Sequence, residues 1–280
     1  MELENNFTLE KFNPEVLREY DIRGVVNENL TTNTAYSIGR TFGHVVCSKF
    51  AKKKIAVGYD GRLTSPSLHH ALCKGLLDSG SNVFSIGMCT TPMTYFAHYH
   101  LQTDAAVMVT GSHNPPEYNG FKMVLDNHSF FADAIQKLQL LTDLENISQG
   151  TGQLINIDIS KEYVNRNLQN ISLEKKMKIA WDIGNGIVGA VIDQFTQQLS
   201  KAEHIVINKE VDGTFPNHHP DPTVPENMKQ LIESVITNSC DIGLAFDGDG
   251  DRLGVIDNKG QIVWADQYML LLAKEISTLY

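Results

Sequence analysis

Residues 110–122 read T-G-S-H-N-P-P-E-Y-N-G-F-K and follow an apolar run with the character of a strand. Gly111 and Gly120 permit backbone shapes that other residues resist, and Pro115 and Pro116 stiffen the loop. Ser112 is therefore expected to stand fixed and exposed at a strand end. A fixed hydroxyl suits a nucleophile, and His113 and Lys122 supply positive charge or protons beside it, as phosphoryl transfer requires. Serine hydrolase chemistry fits poorly. Its nucleophile elbow needs glycines two residues either side of the serine, where this chain has Thr110 and Asn114.

A second segment, A-F-D-G-D-G-D-R, places Asp247, Asp249 and Asp251 at every second residue after a strand-like run. Alternation predicts three carboxylates on one side, where they repel unless a cation sits among them. Hard oxygen ligands select Mg²⁺ or Ca²⁺. The calcium EF-hand pattern fails, because its sixth position should be glycine and is Arg252, and its twelfth should be glutamate and is Asn258. Few carboxylates and room for a phosphate oxygen favour Mg²⁺.

Gly184, Gly186 and Gly189 spell G-x-G-x-x-G between a predicted strand and helix, and Glu210 lies roughly 20 residues on, as in a dinucleotide-binding fingerprint. Against that reading, Asp182 stands two residues before the first glycine, near where a pyrophosphate would sit. The fingerprint also explains neither Ser112 nor the aspartates. Near the start, R-E-Y-D-I-R-G brings Arg18, Tyr20 and Arg23 together ahead of a helix expected near Thr32. The histidine pairs His69–His70 and His218–His219 have no metal-sharing spacing and read as structural or loop residues.

The elements that must hold these segments alternate between short apolar runs and helix-length amphipathic stretches. Strands are expected at 54–59, 82–86 and 105–110, with helices at 67–79 and 92–100. After the polar stretch N-I-S-Q-G-T-G and a helix at 161–170, the rhythm restarts: strands at 178–183, 204–208 and 242–246, helices at 190–200 and 226–237. The expected class is α/β, with mostly parallel sheets and loops at the strands' carboxyl ends carrying ligands. Residues 1–155 form a first domain and 156–260 a second. Residues 261–280 form a strand fragment and an apolar helix with no sheet of its own, read as the start of a third. On that helix Tyr268, Leu271, Leu272 and Ile276 invite self-association or a partner chain.

The 23 Lys and Arg against 33 Asp and Glu give a net charge of −10, which argues against nucleic acid as a partner. Cys47, Cys73, Cys89 and Cys240 are scattered, as in a reducing cytoplasm. The acidic opening lacks a signal pattern, and no apolar run approaches the ~18 residues of a membrane span.

Taken together, E-Y-D-I-R-G at 19–24, G-Y-D-G-R at 58–62, T-P-M at 91–93, T-G-S-H-N-P at 110–115, F-P-N-H-H-P-D-P at 215–222 and D-G-D-G-D-R at 247–252 resemble the α-D-phosphohexomutase family, in its bacterial phosphomannomutase/phosphoglucomutase branch. The resemblance covers essentially the whole chain. It implies three-layer αβα domains and a phosphoserine at Ser112 that gives its phosphate to a hexose phosphate. A bound hexose 1,6-bisphosphate then turns end for end and returns its other phosphate to the serine. By the same likeness, Asp247, Asp249 and Asp251 hold Mg²⁺ with a phosphoserine oxygen, and Lys122 and His113 assist proton transfer. Tyr20, Arg23 and Arg252 steady the phosphate or sugar, and hexose 1,6-bisphosphate serves as phosphorylating activator. The family's sugar-reading and distal phosphate-gripping domains have no counterpart here, so the chain alone is expected to turn over little. The alternatives are an inactive fragment that binds metal or a partner, and a dinucleotide-binding oxidoreductase.

Overall fold

The apolar runs read from the sequence become the parallel halves of two mixed sheets in a computed structural model, which describes residues 6–279. The first unit runs β1 (Ile22–Val25), α1 (Thr32–Lys49), β2 (Lys54–Tyr59), α2 (Ser65–Asp78), β3 (Asn82–Met88), α3 (Thr91–His100), β4 (Ala105–Val109), β5 (Tyr118–Leu125), β6 (His128–Ser129), α4 (Asp133–Leu140) and β7 (Leu154–Asn156). Its sheet has the order β1-β5-β4-β2-β3-β7, with β6 beside β5. Strands β4, β2, β3 and β7 are parallel, whereas β5 runs antiparallel to both β4 and β1.

Alternation along the central strands separates two cores. Ile55 and Val57 of β2 and Val107 and Val109 of β4 face α1 and α2 in the main apolar cluster. On the opposite face, Gly58 lies so close to Thr94 of α3 that a Cβ would meet its Oγ1 at 2.6 Å. Helices on both faces make this a three-layer α/β unit. Gly120 has a similar reason: a Cβ there would lie 2.1 Å from the Ile22 carbonyl oxygen, so β1 can pair with β5 only past a bare α-carbon.

The two compact units divide at Tyr163 and Val164, inside α5 (Ser160–Leu168). The division expected near residue 155 falls on β7, which pairs with β3 as the outer strand of the first sheet. The second unit continues with β8 (Met177–Asp182), α6 (Ile192–Gln198), β9 (Ala202–Ile207), α7 (Lys229–Thr237), β10 (Ile242–Phe246), β11 (Leu253–Asp257), β12 (Ile262–Val263) and α8 (Ala265–Leu279). Its strand order is β12-β11-β10-β8-β9, parallel from β10 to β9 and antiparallel from β10 to β12. Ala180, Ala245 and Ile256 pack with Leu231 and Val235 of α7 on one face, and Ile179 and Trp181 pack with Ile192 of α6 on the other. The two sheets share a plan over four strands, since β3-β2-β4-β5 and β9-β8-β10-β11 have the same order and senses, while the outer antiparallel strand comes first in the chain as β1 and last as β12.

On α8, Leu271, Leu272 and Ile276 are exposed as expected, whereas the Tyr268 hydroxyl donates to the Leu253 carbonyl at 2.9 Å. Among the described residues no helix is long and apolar enough to cross a membrane.

Candidate active site

The serine loop connects β4 to β5, two adjacent antiparallel strands, and the rung Val109↔Phe121 closes its base. Ser112 has φ +52, in the left-handed region that a non-glycine residue occupies only where its surroundings impose it. The expectation of an exposed serine needs correction, because Ser112 is 2% exposed. The loop folds over polar side chains instead of standing out into solvent. The Ser112 amide donates to Thr110 Oγ1 at 2.7 Å, and Ser112 Oγ lies 3.3 Å from His113 Nδ1. Lys122 sits one ladder step beyond the closing rung, opposite Met108, on the sheet face away from the main core.

Arg23 lies on β1, opposite Gly120, where its guanidinium pairs with Asp21 and donates to Asn114 Oδ1 in the serine loop. Tyr20, in the bend before β1, is 78% exposed. The structure therefore gathers Ser112, His113 and Arg23 around one loop, while Tyr20 is exposed in the bend three residues before Arg23.

The aspartate loop connects β10 to β11, again adjacent antiparallel strands, with Phe246↔Leu253 as the closing rung. Strand alternation is not what brings the carboxylates together, because β10 ends at Phe246 and all three aspartates lie in the turn. The turn itself does so: Gly250, at φ +73, donates its amide to the Asp247 carbonyl at 3.0 Å. Asp247 Oδ1 accepts the amides of Asp251 and Arg252 at 3.0 and 2.9 Å. Oxygens of Asp247, Asp249 and Asp251 come within 4.8 Å of one another, with the first two residues buried and the third exposed. Burial, and then the charges of Asp249 and Asp251, push the Asp247 carboxyl well above the ordinary carboxylate range. A cation among them would reverse that, and an all-carboxylate donor set fits a hard divalent ion. Arg252 leaves this loop toward Asp221, its Nη1 3.6 Å from Oδ1.

The G-x-G-x-x-G segment serves this loop too. A Cβ on Gly186 would lie 3.0 Å from the Gly248 carbonyl and 3.1 Å from that of Asp247, and the Ile187 amide donates to Gly248 at 3.1 Å. Backbone of the aspartate loop thus lies against the turn that a dinucleotide's pyrophosphate would need to approach. Glu210 offers its main-chain carbonyl to Asn185 Nδ2 at 2.8 Å. The dinucleotide reading is set aside on this packing.

Several residues that support the two loops have a pattern visible in the sequence, though no supporting role follows from it there. Asp60 and Arg62 lie in the G-Y-D-G-R motif, both 2% exposed, and Arg62 reaches the serine loop. In the second unit Asp182, 1% exposed, accepts the Gly184 amide at 3.0 Å and holds His218 Nε2 at 3.0 Å. An aspartate at the carboxyl end of a central strand, followed by a glycine turn, is the pattern common to both.

Burial opposes charge on His218, but the hydrogen bond and charge of Asp182 outweigh it, so its pKa lies above the ordinary 6.5. A histidine raised on folding stabilises fully below its unfolded value, and that contribution is lost as pH rises through the folded value. Urea unfolding is expected to show the chain losing stability as pH climbs past 6.5, with His218→Gln less stable in acid and flatter across that window. Parallel pH profiles for the two proteins would rule out the charged pair.

Residues 14–148 match the family domain described as phosphoglucomutase/phosphomannomutase, alpha/beta/alpha domain I, and residues 161–260 match domain II. The phosphomannomutase/phosphoglucomutase of Pseudomonas aeruginosa is 43% identical over 261 residues, covering 93% of this chain and 56% of that protein. The phosphoglucomutase of Neisseria meningitidis serogroup A is 42% identical over 267 residues, or 94% and 57% of the two chains. Among solved structures, a phosphoglucomutase/phosphomannomutase family protein from Burkholderia thailandensis superposes with a TM-score of 0.90 at 38% identity, covering 95% of this chain and 60% of that one. The chain therefore spans little more than half the length of these relatives. With both domain matches in their family order, each holding one of the two chemistry-bearing loops, the chain belongs to the phosphoglucomutase/phosphomannomutase family.

Proposed function

We propose that the chain supplies the phosphoryl-transfer centre of a phosphohexose mutase of the phosphomannomutase/phosphoglucomutase type, interconverting hexose 6-phosphate and hexose 1-phosphate. The observation that carries this reading is Ser112, a serine imposed at φ +52 on a buried loop with His113 Nδ1 3.3 Å from its Oγ. In the resting form Ser112 carries the phosphate. A hexose-phosphate hydroxyl attacks its phosphorus, the bond to Ser112 Oγ breaks, and a hexose 1,6-bisphosphate forms. His113 and Lys122 move the protons, taking one from the attacking hydroxyl and returning one to the serine oxygen. After the bisphosphate turns, Ser112 Oγ attacks the other phosphorus and the isomeric monophosphate leaves.

Asp247, Asp249 and Asp251 would hold Mg²⁺, which when bound neutralises phosphoryl charge. A phosphoserine of about −2 and three carboxylates exceed what one divalent ion balances, so Arg252 and Arg23 are assigned to the remaining charge and, with Tyr20, to the hexose phosphate. Cys47, Cys73, Cys89 and Cys240 are all free thiols, which supports a cytoplasmic setting.

The test is intact-protein mass spectrometry after incubation with hexose 1,6-bisphosphate and Mg²⁺. One added phosphoryl group, mapped to Ser112, is expected. An unmodified chain that still binds Mg²⁺ would favour an inactive metal-binding fragment.

A further inference from the structure

Arg62, in the turn between β2 and α2, is a fully buried charged side chain, 1% exposed. Its guanidinium is directed almost entirely at the backbone of the serine loop. Nη2 donates to the carbonyls of Ser112 at 2.8 Å and Asn114 at 2.6 Å, and Nη1 donates to those of Pro115 at 2.5 Å and Tyr118 at 3.0 Å. Its Nε lies 3.3 Å from Asp60 Oδ2. Asp60 in turn binds the strand side of the same loop, since Oδ2 accepts Thr110 Oγ1 at 2.8 Å and the Gly111 amide at 3.3 Å. Its Oδ1 accepts the Arg62 amide at 3.1 Å and Ser65 Oγ at 2.5 Å, which ties the aspartate to the start of α2.

These contacts converge on one residue. The Ser112 amide reaches Asp60 through Thr110 Oγ1, and the Ser112 carbonyl is held by Arg62. One ion pair thus fixes both peptide groups that define the left-handed backbone of Ser112, a conformation that persists only when its surroundings over-determine it. Gly111 fits the same account: a Cβ there would lie 2.5 Å from Arg62 Cζ, so the glycine makes room for the guanidinium. A buried ion pair contributes little net stability by itself. Arginine's rigid fork, which lysine lacks, can serve several carbonyls in fixed directions at once.

We infer that Arg62, anchored by Asp60, is the positioning residue of Ser112, fixing the loop so that Oγ keeps one location through phosphoryl gain and loss. Arg62 touches no reacting atom; it acts through the backbone of 112–118. The inference rests on Ser112 being the phosphate carrier, and the experiment keeps the two separable.

Arg62→Lys retains the charge opposite Asp60 and loses the fork. Single-turnover transfer from labelled hexose 1,6-bisphosphate to the chain is expected to slow roughly 100-fold, the scale of a misplaced reacting group, with half-saturating bisphosphate and Mg²⁺ shifting less than about twofold. Amide hydrogen exchange should quicken at 111–119 while β2 and β4 keep their protection. Gly111→Ala, which crowds the guanidinium without removing charge, should move both readouts the same way, and it serves if the lysine variant does not fold. Wild-type transfer with an unchanged exchange pattern overturns the inference, as does slowed transfer with exchange raised across the whole first sheet. If the wild type itself takes no phosphate, the phosphoserine reading falls first. Faster exchange confined to the loop then still supports Arg62 as its anchor, and unchanged exchange overturns that as well.

Discussion

Ser112→Ala is expected to accept no phosphate from labelled hexose 1,6-bisphosphate, with transfer to the chain falling by about six orders of magnitude, the scale seen when a serine nucleophile is removed. The size follows from the chemistry, because the neighbouring hydroxyl is already engaged. Thr110 Oγ1 is the nearest by sequence, and it is committed as acceptor from the Ser112 amide and donor to Asp60. The substitution leaves the Ser112 backbone contacts intact, so unfolding free energy should change by less than about 1 kcal/mol. Mg²⁺ affinity of the unphosphorylated chain should also persist, since the triad lies in the other compact unit. Equal label on the alanine variant would place the phosphate elsewhere and remove the basis of the proposed cycle.

The second large effect concerns the ion. Asp249→Asn should weaken Mg²⁺ binding on the order of 100-fold by calorimetry, because one of three converging carboxylates becomes neutral. Asp249 is the informative position. Asp247 also accepts the amides that shape the turn, so its replacement would mix ligation with folding. Without metal the sign reverses, because three close carboxylates repel one another and the asparagine relieves part of that repulsion. Thermal melts should therefore cross. The wild type gains about 2.7 kcal/mol at an Mg²⁺ concentration one hundred times its dissociation constant, while the variant starts more stable and gains little. Unchanged Mg²⁺ affinity in the variant would count against the triad as the metal site.

The parallel strands other than the exposed β7 were legible because buried strands read as continuous apolar runs, as K-I-A-V-G-Y and A-A-V-M-V do. The antiparallel strands were not, apart from the fragment that forms β12. Strand β5, Y-N-G-F-K-M-V-L, begins with residues chosen by its neighbours: Asn119 donates to Thr64 and Ser65, and Gly120 lets β1 approach. Strand β11 was hidden behind the aspartates that precede it. At the site, residue types were readable and their surroundings were not. Glycine and proline around Ser112 suggested an exposed loop, but what lies beneath it is a guanidinium supplied from about fifty residues earlier in the chain. Neither Asp60 nor Arg62 looks buried in a turn motif, where charged residues ordinarily meet solvent. The aspartates converge as expected, through a turn rather than through strand alternation.

The rungs Val109↔Phe121 and Phe246↔Leu253 have an entropic consequence. Each chemistry-bearing loop begins and ends on neighbouring hydrogen-bonded strands, so its closure is settled when the sheet forms and is not renegotiated when a ligand arrives. Closure itself distinguishes the two loops only slightly, since doubling a loop's length adds only about 0.6 kcal/mol. Residual freedom inside the loop distinguishes them more. The short aspartate turn is held by its own amides bonding back to Asp247, whereas the longer serine loop would retain many conformations if left hollow. Filling its interior with one rigid, many-donor side chain removes that freedom during folding, and each later encounter with a ligand meets a loop with little disorder left to lose.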